Sequence, residues 1–273
     1  MTIVLRLLAA AVIGVAGFPE ECLAEGASPW AEGFHSRARL VSGGSMGAEH
    51  WAGVEIVLDP DFKTYWRDPG ESGLPPRFDW SGSENAQAID LRWPAPSRTE
   101  DAAGVTYTYA HRVVFPVRVV AADAGKPVTL RLDLEYGVCK EICIPARAAL
   151  DLTLDKGESR HRAVIDQALA RVPRPQRLGA DDAVSILALE RIPAGKPAYG
   201  VKVRSPAGAA LFAEAPENWY LSVSRQQPDG RFTVTIEEKP REAAGPITLR
   251  LTLVAGGQAV ETDVHLDENL AAR

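Results

Sequence analysis

Val128-Thr129-Leu130-Arg131-Leu132-Asp133-Leu134-Glu135-Tyr136 alternates apolar and polar side chains without a break. A period of two puts alternate side chains on opposite faces of an extended chain, so this stretch predicts a half-buried β-strand. The same signal recurs on either side of it. Leu150-Asp151-Leu152-Thr153-Leu154 alternates again, Val54-Glu55-Ile56-Val57-Leu58 ends at the turn Asp59-Pro60-Asp61, and Ala88-Ile89-Asp90-Leu91-Arg92-Trp93 stops at Pro94. Within Val113-Val114-Phe115-Pro116-Val117-Arg118-Val119, Pro116 has no N–H for a ladder, which predicts an edge strand or a bulge. Short strands at this spacing predict an all-β chain built on a β-sandwich.

The pattern changes once. From Glu158 to Val172, apolar residues at Val164, Ile165, Ala168, Leu169 and Val172 follow helical spacing, and Pro173 and Pro175 end the run. Beyond it β signals resume in Val184–Leu189, Arg231–Ile236 and Ile247–Leu253, with Pro228-Asp229-Gly230 as a turn between strands. The expected organisation is a first β-sandwich over residues 28–156, a helical linker over 157–180, and a second, smaller β module over 181–273. Glu237-Glu238 reads as a solvated strand end, and neither a Ser-His-Asp arrangement nor a phosphate-cradling glycine loop is present.

Composition sets the function classes. The 273 residues are 46% hydrophobic and carry a formal charge of −6 with no long basic block, which argues against a nucleic-acid partner. At the N-terminus Arg6 precedes a short apolar run, Leu7–Gly17, and Cys22-Leu23-Ala24 places small residues where a signal peptidase reads them. This pattern predicts a secretory signal peptide over residues 1–24, cleaved after Ala24. The run is short for an uncleaved membrane anchor. Pro19-Glu20-Glu21-Cys22 departs from a lipobox, which has small residues before the cysteine. Export to the periplasm, as a soluble mature chain, is the expectation.

Cleavage removes Cys22 and leaves Cys139 and Cys143 in an oxidising compartment, where a pair tends to form a disulfide. On one straight strand, residues four apart are separated by roughly 13 Å. A disulfide needs Cα atoms within about 7 Å, so the chain has to turn at Lys140-Glu141-Ile142. Such a small ring removes little loop entropy and makes a weak staple. Lys140 and Arg147 are nearby charges that favour a thiolate, while Glu141 opposes it. Two thiolates also suit copper(I), and Met46 lies between His35 and His50. Residue chemistry therefore leaves three readings: a structural clip, a redox centre, or a copper(I) clamp in a copper-tolerance or binding module.

The cysteine segment Tyr136-Gly137-Val138-Cys139-Lys140-Glu141-Ile142-Cys143-Ile144-Pro145 comes after Lys63-Thr64-Tyr65-Trp66-Arg67-Asp68-Pro69-Gly70-Glu71-Ser72-Gly73-Leu74-Pro75-Pro76, Phe78-Asp79-Trp80-Ser81-Gly82-Ser83-Glu84-Asn85 and Trp93-Pro94-Ala95-Pro96. In this order the motifs resemble the N-terminal periplasmic domain of the DsbD and ScsB family of thiol–disulfide interchange proteins, over about residues 30 to 155. The region beyond Ala180 is similar in character to the extra β module of the ScsB-like branch. The resemblance implies an immunoglobulin-like fold whose Cys139/Cys143 pair is a redox-active disulfide that needs no other cofactor. It implies a protein-disulfide reductase component that passes electrons from a membrane electron-transfer protein to thioredoxin-like periplasmic partners. Tyr65, Trp66, Phe78 and Trp80 would cap the pair or serve as core aromatics, Tyr136 would support it, and Asp68 would help move a proton or sit in an exposed turn. Three residues separate the cysteines, fewer than in the enterobacterial DsbD domain and like the ScsB-like branch. The family's membrane and thioredoxin-like domains do not follow in this sequence, so the resemblance implies that a separate membrane protein recharges the pair.

Overall fold

The computed structural model describes residues 26–46, 49–101, 104–154, 159–242 and 246–267. The segment expected to be a signal peptide, residues 1–24 with Cys22, lies outside the described residues. In chain order the first module contains β1 (Ala31–Gly33), β2 (Ser36–Met46), β3 (Glu49–Leu58), β4 (Lys63–Gly70), β5 (Arg77–Asp79), β6 (Ala86–Leu91), β7 (Ser97–Asp101), β8 (Gly104–Ala110), β9 (Arg112–Ala121), β10 (Thr129–Cys139) and β11 (Cys143–Thr153). One helix, α1 (Arg162–Leu169), follows. The second module contains β12 (Arg174–Pro175), β13 (Ser185–Ile192), β14 (Ala198–Arg204), β15 (Ala210–Glu214), β16 (Tyr220–Val223), β17 (Phe232–Glu238), β18 (Ile247–Ala255) and β19 (Gln258–Leu266).

Among the described residues the chain is all-β apart from α1. In the first module, a sheet of order β1-β2-β3-β9-β6 faces a second of order β11-β10-β4-β8-β7, with β5 added to β10. The opening stretch is β10. Leu130, Leu132, Leu134 and Tyr136 point into the core, while Arg131 and Asp133 face solvent. Opposite them lie Leu40, Ile56 and Phe115, all fully buried. Inward faces of both sheets thus close one sandwich core, the favourable term in its folding.

Pro116 is not on an edge, because β9 pairs with β3 on one side and β6 on the other. Its carbonyl accepts the Arg92 N–H at 2.8 Å, one residue beyond the end of β6. The proline nitrogen therefore faces the side where the neighbouring strand has stopped, and no ladder bond is lost.

The helical segment does more than connect. Ile165 of α1 is fully buried with Ala27 and Val41, and Trp51 and Leu169 pack around it. Gly43 and Gly53 make room for it, since a Cβ at Gly43 would fall 2.6 Å from Ile165 Cδ1. Beyond α1, the sheets β12-β19-β18-β15 and β13-β14-β17-β16 enclose a second core around Tyr199, Val201, Leu211, Phe232, Leu251 and Val260. The second module is a full small sandwich.

The two sandwiches touch through β4. Between Tyr65, opposite Thr108, and Gly70, opposite Thr106, the register of β4 against β8 slips, and Trp66–Pro69 leave the ladder. Trp66 is fully buried against Phe212 of β15, with ring centroids 5.7 Å apart. Arg67 donates two hydrogen bonds of 2.7 Å to Glu214 and one of 2.5 Å to Glu261. Elsewhere Arg225 reaches Glu100 at 2.8 Å, and the Ala95 N–H reaches the Arg171 carbonyl at 2.8 Å.

Candidate functional site

β10 and β11 form a hairpin whose register runs from Thr129↔Thr153 to Cys139↔Cys143. The turn is Lys140-Glu141-Ile142, and it brings the two Cα atoms to 4.2 Å, where the sulfurs form a disulfide. The cystine thus sits at the tip of two long paired strands. Strand β4 approaches from the other side, with Lys63 opposite Cys139 in the ladder.

The two sulfurs are not equivalent. Cys139 is 1% exposed. Cys143 is partly exposed, and its Sγ lies 2.9 Å from the Tyr65 hydroxyl. Burial, with a smaller contribution from the Asp101 charge, raises the Tyr65 phenol above its ordinary 10.0. At neutral pH the phenol keeps its proton and donates it toward sulfur. Such a donor stabilises a thiolate more than it stabilises a neutral sulfur, because hydrogen bonds to ionised acceptors are the stronger ones.

A loop seals this arrangement. Gly73, at φ +130°, lies against the Tyr65 ring, and Leu74 packs beside Gly137. Apolar surface collects around the tip. Five large apolar side chains are exposed among the described residues, and three of them, Leu74, Ile142 and Ile144, border the cystine hairpin. A fourth, Phe34, lies edge-on to Phe62, whose ring faces the Lys140 ammonium. The clefts of about 880 and 740 Å³ lie at the junction of the modules, and neither is lined by a cysteine.

Of the residues singled out in the sequence, the structure brings Tyr65, Cys139 and Cys143 together. Trp66 points the opposite way from Tyr65, as neighbours on a strand do, and fills the inter-module core. Phe78 packs edge-on against Trp93 and Phe115, and Trp80 lies against the first core. These three occupy core positions and not the cystine cap. The Tyr136 hydroxyl bonds Ser36 Oγ at 2.9 Å in the interior. Asp68 is half-buried, and its Oδ1 accepts the Gly70 N–H at 2.8 Å. Burial raises its carboxyl above 3.8, against the pull of that N–H and of Arg67.

The local cations are already engaged. Lys140 pairs with Asp61 at 3.1 Å and Arg147 with Glu135 at 2.8 Å. His35 bonds Asp59 beyond one end of β3 and His50 is buried at the other end, so they form no joint site with the cysteines. Among the described residues no three His, Cys, Asp or Glu side chains are grouped as metal ligands. The apolar rim at Leu74, Ile142 and Ile144 and the Gly73 seal had no sequence signal beyond a Gly- and Pro-rich loop.

The first β-sandwich thus carries, at a hairpin tip, a cystine with one covered sulfur and one partly exposed sulfur touched by a phenol. Residues 36–155 match the family model described as thiol:disulfide interchange protein DsbD, N-terminal. Across both modules the chain is similar to the crystal structure of the N-terminal periplasmic domain of ScsB from Proteus mirabilis, with a TM-score of 0.70 and 20% identity, covering 89% of this chain and 99% of that one. Another solved structure, the yeast GGA1 GAE domain, matches at a TM-score of 0.24 and 9% identity, over 45% of this chain and 92% of that one, too weakly to bear on the fold. No curated protein matches the sequence. No helix among the described residues is long and apolar enough to cross a membrane.

Proposed function

We propose that this protein is a periplasmic thiol–disulfide exchange domain that relays reducing equivalents through Cys139 and Cys143. The observation that carries the reading is the asymmetry of the pair: Cys143 is reachable and faces a protonated phenol, while Cys139 is covered. In the reduced protein the Cys143 thiolate attacks a partner's disulfide. One partner sulfur leaves as a thiolate and takes a proton, and a mixed disulfide remains. Cys139, held within 4.2 Å by Cα position, then attacks Cys143 Sγ and releases the second partner sulfur. Two electrons and two protons pass to the partner, and the cystine forms again. A dithiol donor recharges it by the reverse exchange.

Thioredoxin-like proteins are the acceptors in this scheme, and a membrane electron-transfer protein is the donor. The apolar rim of Leu74, Ile142 and Ile144, exposed around the hairpin tip, suits a protein surface. The pair needs no bound cofactor. Equilibration with glutathione tests the proposal. A potential far below about −300 mV would mark an inert structural bond and sink it. A potential within reach of the glutathione couple, together with mixed-disulfide capture by Cys143, supports it.

A further inference from the structure

β4 serves two sites at once. Its first half lies along the cystine, with Lys63 opposite Cys139 and the Tyr65 hydroxyl on Cys143 Sγ. Its next residues leave the sheet and enter the second module. Trp66 is buried against Phe212, and Arg67 is held by two carboxylates, Glu214 on β15 and Glu261 on β19. Phe212 is counted among the first core's own buried residues, with Ala210 and Val254 packed on it. The anchor is thus one peptide unit from the side chain that touches sulfur. The Tyr65 ring is fixed on its other side by Gly73.

We propose that the second β module is a positioning element for the redox pair, with Arg67 as its positioning residue. By clamping the Trp66–Asp68 excursion, the module fixes where Tyr65 stands and holds its hydroxyl on Cys143. A fixed donor within hydrogen-bond reach favours the thiolate, and a loosened one does so less, since the bond weakens steeply with misalignment. The second sandwich therefore sets the exchange equilibrium of a cystine that it does not touch. This inference rests on the exchange function proposed above.

The test uses the full chain, equilibrated with glutathione and scored by alkylation and mass, with the iodoacetamide rate at Cys143 measured in parallel. Arg67→Met keeps the stem and removes the clamp, and Phe212→Leu loosens the same anchor from the second module. Both are expected to lower the reduced fraction ratio and the alkylation rate at least about threefold, which is about 14 mV for this two-electron couple. In a Tyr65→Phe background the same substitutions are expected to change neither quantity further. Lys196→Met, which removes the exposed Lys196–Glu237 pair, is the control and should leave both unchanged. Thermal unfolding identifies any variant that fails to fold, and the Phe212 arm then carries the decision. Shifts that persist undiminished without the Tyr65 hydroxyl overturn the coupling, as do folded clamp variants with unaltered exchange while Tyr65→Phe alters it. A wild-type pair that glutathione cannot reduce overturns the exchange function itself, and the coupling with it.

Discussion

Gly73 lies against the ring of Tyr65 so closely that a Cβ added there would fall 2.4 Å from Tyr65 Cε1. Real Cβ contacts do not reach that distance, so any other residue at 73 must push the ring or lift the loop. The backbone adds its own requirement, since φ is +130°, a conformation that essentially only glycine adopts. Gly73→Ala is expected to cost about 1–3 kcal/mol, measured by urea denaturation. It should also disturb the reaction of Cys143 with iodoacetamide. A variant as stable as the parent, with the same alkylation rate, would show that the loop does not hold the ring.

Tyr65→Phe keeps the ring and its packing but removes the hydroxyl 2.9 Å from Cys143 Sγ. A hydrogen bond to a charged acceptor contributes about 1.5–3 kcal/mol. In the Cys139→Ala protein, where Cys143 is a free thiol, the substitution should slow alkylation at neutral pH by about tenfold or more. Equal rates with and without the hydroxyl would remove Tyr65 from the chemistry.

Much of this was legible in the residues. The alternation of Val128–Tyr136 identifies β10 because one face of that strand is solvated, as the burial of Leu130, Leu132 and Leu134 beside exposed Arg131 and Asp133 shows. Chain arithmetic alone required the turn at Lys140–Ile142. Pro116 was misleading because its edge is local: β6 ends there although β9 is an interior strand. The four aromatics read as a cap or as core residues illustrate a limit of reading neighbours together. On a strand, adjacent side chains face opposite ways, so Tyr65 and Trp66 cannot both cover the cystine. The Arg67 clamp was invisible, because its partners lie 147 and 194 residues further along the chain. No local pattern reports such a contact.

The unequal exposure of the two cysteines gives a directional prediction. With Cys139→Ala, Cys143 should form a stable mixed disulfide with a thioredoxin-like probe or with oxidised glutathione, visible as a mass adduct. With Cys143→Ala, the remaining Cys139 is 1% exposed in the intact fold and should trap at least about tenfold less in the same time. Equal trapping by both variants would mean that the tip opens and that static exposure does not select the attacking sulfur.

The clamp should also leave a mark on stability against pH. Burial raises the Glu214 carboxyl above its ordinary 4.5; the Arg67 hydrogen bonds oppose this, and the charges of Asp68 and Glu261 add to it. Below pH 4.5 Glu214 is protonated in the folded and unfolded chain alike, and its ionisation contributes nothing. As pH rises past 4.5 the unfolded chain releases its proton first and the folded chain keeps it. The unfolded state then binds fewer protons, so this group's contribution falls with rising pH until the folded carboxyl ionises as well, and is level above that. Glu214→Gln cannot ionise and keeps a second carboxylate, Glu261, on Arg67. Urea midpoints measured from pH 4 to pH 7 should therefore fall more steeply in the parent than in Glu214→Gln over the range just above 4.5, with the two curves parallel at higher pH. Curves parallel throughout would show that Glu214 ionises in the folded protein as freely as in the unfolded chain, and that burial at the module junction does not govern its charge.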